Sequence, residues 1–107
     1  MQFVFLYVTS VSKKEAVKIS THLLKERLVA CVNMFPLKSM YWWNEKICTK
    51  SEYAIILKTE KGAFPLIEKA IMKLHSYSVP CITKISVEPN KGYGNWLMEQ
   101  LVGKLHK

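Results

Sequence analysis

Residues 29–59 constrain this chain more than any other stretch, because they read as two long strands joined by a tight turn at Asn44-Glu45. The second run, residues 46–59, spans about 46 Å at roughly 3.3 Å per residue. A domain of this size packs to a radius of gyration of about 13 Å. The ribbon is therefore expected to overhang its own core. Its tip carries Tyr41, Trp42, Trp43 and Ile47, an aromatic surface that calls for cover by another chain. An oligomer whose interface includes these four residues follows from the pattern.

The rest of the chain reads as one domain, residues 1–107, half of them hydrophobic, a globular composition. No apolar run reaches the ~20 residues of a membrane-spanning helix. The apolar opening lacks the basic lead-in and cleavage site of a signal peptide, so the expected location is the cytoplasm. Three cysteines, Cys31, Cys48 and Cys81, form no close pair or metal-type spacing and are expected as free thiols there. The net charge of +8 comes from fifteen lysines and a single Arg27 against eight glutamates. The lysines are dispersed and arginine, the main base-reading side chain, is nearly absent, so nucleic acid is not an expected partner.

Residues 2–9 are expected to form a central strand buried on both faces. Ser12-Lys13-Lys14-Glu15 matches the capping box that opens a helix, and Ala16, Ile19, Leu23 and Leu24 continue it as an apolar stripe ending near Arg27. Pro36 interrupts the next strand and predicts a bulge or an edge position. A helix over residues 63–74 with Pro65 in its first turn, a strand over 79–87, a loop over 88–92 and a short last helix from Tyr93 or Asn95 complete the order. Strand, helix, two strands, helix, strand and an added helix specify an α+β fold of the ferredoxin-like split βαβ type, with its helices on one face of an antiparallel sheet.

Candidate chemistry is sparse. His75-Ser76-Tyr77-Ser78-Val79-Pro80 places a histidine at a helix C-terminus, where it is a metal-ligand candidate or a cap for the last carbonyls. Glu52 and Lys58 share one strand and one side, suited to a polar ligand or to ion pairs. Tyr93 and Trp96 add aromatic surface near the C-terminus. No nucleophile–base or paired-carboxylate pattern is visible, so an enzyme is not expected. Strand 52–58 lacks the basic, glycine-containing aromatic pattern of an RNA-recognition domain.

The ordered series Ala30-Cys31-Val32-Asn33, Ser39-x-Tyr41-x-Trp43, Ile47, Glu52-Tyr53, Leu57-Lys58-Thr59, His75-x-Tyr77-x-Val79-Pro80 and Tyr93-x-x-Trp96-Leu97 resembles the CutA divalent-cation tolerance family across nearly the whole chain. The resemblance implies a ferredoxin-like fold, a cytoplasmic homotrimer built through the long hairpin, and a link to copper and other divalent cations without a required cofactor. It implies a copper site at the end of the second helix, matched here by His75 alone: Val8 and Leu74 stand where the family has a cysteine and a second histidine. Cys81 replaces a glutamate after Pro80, a change toward softer ions such as Cu(I). On this basis the expected metal donors are His75, Cys81 and Cys31, and the expected ligand cleft contains Tyr77, Lys58, Glu52, Tyr93 and Trp96. The rival expectation is a trimeric signalling or scaffold module, similar to the nitrogen-regulatory PII proteins, holding a small anion between subunits.

Overall fold

The computed structural model describes residues 2–105, with side chains to Leu101. Strand β1 (Phe3–Ser10) leads to helix α1 (Lys13–Lys25), strands β2 (Cys31–Trp43) and β3 (Lys46–Glu60), a single 3₁₀ turn at Lys61–Ala63, helix α2 (Phe64–Leu74), strand β4 (Ile82–Val87) and helix α3 (Lys91–Leu105). The strands form one antiparallel sheet in the order β2-β3-β1-β4.

The hairpin forms as the sequence requires. β2 and β3 pair in unbroken register from Cys31 opposite Lys58 to Trp43 opposite Lys46. Asn44 and Glu45 both take positive φ, 51° and 62°, the two-residue turn whose twist matches that of its flanking strands. Pro36 sits opposite Tyr53 within this register; it is tolerated because β2 is an edge strand, with no bulge. The ribbon stretches the molecule to 47 × 26 × 21 Å. Trp42, Trp43 and Ile47 are 72, 61 and 63% exposed.

Helix α1 begins at a working cap: the Ser12 hydroxyl accepts from Glu15 N–H, and Glu15 Oε1 accepts from Val11 N–H. It ends in a Schellman arrangement, with Leu28 N–H donating to Leu23 C=O and Arg27 N–H to Leu24 C=O. Arg27 accordingly adopts a left-handed φ of 57°. Ala16, Ile19 and Leu23 of α1 meet Ile67 and Ile71 of α2 over Val4, Leu6, Val8, Ile55 and Leu57. Full burial of each large aliphatic side chain contributes about 1.5–3 kcal/mol.

Two expectations about the sheet change. Central strand β1 fully buries only the row Val4, Leu6, Val8 and Ser10, while Phe3, Phe5, Tyr7 and Thr9 remain half-buried, because α1 and α2 cover one face only. The helices are also not all on one face: Gly94 of α3 lies against Phe3, and Tyr93 against Lys58, both on the opposite face. α3 starts at Lys91, earlier than the glycines suggested, and β4 starts at Ile82, later than Val79. Ile82, rather than Cys81, packs toward the core. Beyond α3 the second face stays open, exposing Phe35 and Ile85.

Candidate functional site

The segment between α2 and β4 positions the candidate groups. His75 follows the last turn of α2, its N–H donating to Ile71 C=O, and its buried ring reaches the end of β1. Nε2 lies 2.7 Å from the Thr9 carbonyl oxygen, and Nδ1 lies 3.0 Å from Tyr77 N. A carbonyl only accepts and a backbone N–H only donates. Nε2 therefore carries the proton and Nδ1 keeps its lone pair for Tyr77, which fixes one neutral tautomer.

Glu15 braces the same segment. Its Oε2 accepts from Ser76 N–H at 2.9 Å, and its Oε1 lies 3.7 Å from His75 Nδ1. Burial pushes its carboxyl up, but the N–H donors of Val11 and Ser76 outweigh it and hold it below the ordinary value of 4.5. A depressed carboxylate contributes stability above its unfolded pKa and loses that contribution as pH falls through the folded value. Glu15→Gln is thus expected to cost about 1 kcal/mol at neutral pH, with the gap from wild type closing below about pH 4. Urea unfolding across pH 3–7 checks this.

Tyr77 carries the order outward. Its ring lies 4.7 Å from that of His75, and its hydroxyl donates to Glu52 Oε2 at 2.6 Å. Lys50 Nζ sits 4.3 Å from the centre of the Tyr77 ring. Burial and the bond to Glu52 push the Tyr77 phenol up, and the Tyr77 hydroxyl, with Glu52 adding its charge, raises the Lys50 ammonium. Glu52, Tyr77, Lys50, Thr9, Cys81, Tyr41 and Trp43 line one cleft of about 490 Å³ where the hairpin leaves the sheet. Cys81 Sγ lies 3.5 Å from Thr83 Oγ1.

Lys58, Tyr93 and Trp96 fall elsewhere. Lys58 is six residues along β3 from Glu52, about 20 Å away. Its ammonium donates to Tyr93 Oη at 3.2 Å, with the Phe5 and Tyr93 rings both 5.3 Å away, and Trp96 stacks on Tyr93. The residues expected in one ligand cleft thus form two clusters at opposite ends of the open face.

The three expected metal donors are also apart within one chain. Cys31 is on edge strand β2 in the row of Ile85, and Cys81 adjoins the opposite edge strand β4 four residues before that row, so three strand spacings and four residues along the strand put them about 19 Å apart. Both nitrogens of His75 are engaged. Among the described residues no three His, Cys, Asp or Glu side chains converge, so a single chain offers no closed transition-metal set. It leaves Glu52 and Cys81 as donors facing the cleft. Glu15, Thr9 and Lys50 escaped the sequence reading: the capping box disclosed one Glu15 contact, while its bond to Ser76 spans 61 residues.

The comparison with known proteins follows this geometry. Residues 4–100 match the family model described as CutA1 divalent ion tolerance protein. The chain belongs to this family. It is 41% identical over 96 residues to the divalent-cation tolerance protein CutA of Archaeoglobus fulgidus, covering 89% of this chain and 94% of that one. It is 38% identical to the CutA protein of Pyrococcus horikoshii, covering 91% and 96%. The solved A. fulgidus structure, described as a periplasmic divalent cation tolerance protein, superposes with a TM-score of 0.90 at 39% identity over 92% of this chain and 98% of that chain. CutA1 from Oryza sativa gives a TM-score of 0.90 at 28% identity over 94% of both chains. No helix among the described residues is long and apolar enough to cross a membrane.

Proposed function

We propose that this chain is a ferredoxin-like subunit of a homotrimer that acts in divalent-cation tolerance by binding metal ions, copper or another divalent cation, at the cleft where the hairpin leaves the sheet. The observation that carries this reading is the placement of the Glu52 carboxylate and the Cys81 thiol in one cleft, flanked by Tyr41 and Trp43 of the exposed ribbon. One chain supplies two donors, a hard oxygen and a soft sulfur. A second copy laid against the ribbon closes the open side and supplies further donors, and Cys31 joins only in that way. His75 joins only after releasing Tyr77 N–H. We assign no catalytic residue: the reading is a binding protein. Three free thiols support a reducing, cytoplasmic location.

The test is titration of Cu(I) and Zn²⁺ into the purified protein against the Glu52→Gln, Cys81→Ser double variant. The reading expects a loss of at least ~10-fold in affinity, the size of one lost ligand interaction of about 1.4 kcal/mol. Equal affinities remove the site. The Lys50 ammonium in the same cleft favours a second reading, a small anionic ligand. A thermal-shift comparison of metal ions with nucleotides and carboxylates separates the two, because a ligand of the native state raises the melting temperature.

A further inference from the structure

We propose that the cleft recognises an organic primary ammonium group, with Glu52 as its counter-ion and the Tyr77 ring as its platform. This inference rests on the same cleft as the metal reading but not on Cys81.

Glu52 is only 8% exposed, yet its carboxylate is half satisfied. Oε2 takes the Tyr77 hydroxyl, and Oε1 has no hydrogen-bond partner among the described residues. Among the described residues Ser20 Oγ is the only buried side-chain polar atom without a partner, so Oε1 keeps contact with solvent in the cleft and is available to accept from an incoming cation. Lys50 shows which cation suits the walls. Its ammonium stands 4.3 Å from the Tyr77 ring centre, within the distance of a cation–π contact, and Tyr41 and Trp43 extend the aromatic lining. Aromatic faces supply no metal–ligand bonds but attract an alkylammonium. A volume of about 490 Å³ also exceeds the needs of a bare ion and falls in the range of small organic ligands.

An incoming alkylammonium takes the place of Lys50 over Tyr77 and donates to Glu52 Oε1, while the Lys50 side chain swings outward. Lys50 is then an internal competitor that holds affinity down. Its removal strengthens binding of an external amine.

The probe is 1,4-diaminobutane, titrated into the full-length protein with the Tyr77 ring and Glu52 side-chain NMR signals as readout. Saturable shifts of both are expected in wild type. Lys50→Met is expected to tighten binding by about tenfold, equivalent to about 1.4 kcal/mol of removed competition. Glu52→Gln, which still accepts the Tyr77 hydroxyl, abolishes binding, and Cys81→Ser leaves it unchanged. The absence of saturable shifts in both wild type and Lys50→Met overturns the proposal, as do equal shifts in Glu52→Gln. Loss of metal binding in Cys81→Ser with amine binding intact keeps the two readings separate, whichever fails.

Discussion

His75→Ala is expected to destabilise the protein by about 3 kcal/mol, the sum of two orphaned backbone groups at about 1–3 kcal/mol each. Without the ring, the Thr9 carbonyl loses its donor and Tyr77 N–H its acceptor, next to a fully buried Ser10. The removed ring also leaves space beside the core, which adds to the loss. Urea unfolding at fixed protomer concentration measures the effect, since assembly makes apparent stability concentration-dependent. The decisive arm is chelator-treated protein. A histidine whose role is to hold metal costs nothing when the metal is gone, whereas a histidine stapling β1 to the segment after α2 costs the same with or without it. A loss below about 1 kcal/mol in metal-free protein would refute the staple, because that is the net worth of only one ordinary hydrogen bond.

The staple also explains why fold and site were unequally legible in the sequence. The hairpin was readable because its signals are local: a two-residue turn, extended runs on either side, and a proline accepted only at a bulge or an edge position. The capping box at Ser12 and the apolar stripe of α1 were local in the same sense. Strand β1 was read as buried on both faces because its residues are apolar throughout, yet composition cannot say whether helices or another copy of the chain covers the second face. The turn residues over 88–92 suggested a loop; α3 instead begins at Lys91, and an added Cβ at Gly94 would make only ordinary contact with the Phe3 ring, at 3.4 Å. The site was less legible because it depends on strand order. Side-chain alternation put Glu52 and Lys58 on one side of β3, but did not say that six residues of extended chain would place them in separate clusters. The order β2-β3-β1-β4 put Cys31 and Cys81 on opposite edges. The same order brought Thr9, Glu15, His75 and Tyr77 into contact from three segments.

Replacing Trp42, Trp43 and Ile47 together by serine is expected to convert the proposed trimer into folded single copies at micromolar concentration. In the isolated chain these side chains are mostly exposed and pack against little of their own core, so their loss leaves the core of α1, α2 and the sheet intact. In an assembly they become anchors. Truncating a tryptophan hot spot costs about 2 kcal/mol or more, so the pair costs about 4 kcal/mol before the isoleucine is counted. That is a weakening of association of about a thousandfold. Sedimentation velocity reads the assembly and far-UV circular dichroism reads the fold in the same samples. The hairpin can keep its register without its tip side chains because the turn at Asn44-Glu45 and the backbone ladder are untouched. A wild-type protein that sediments as one folded copy at micromolar concentration would overturn the trimer. A variant that stays assembled would instead move the main contact to the open sheet face, where Phe35 and Ile85 are exposed. In that case Phe35→Lys, rather than the change at the ribbon tip, separates the subunits.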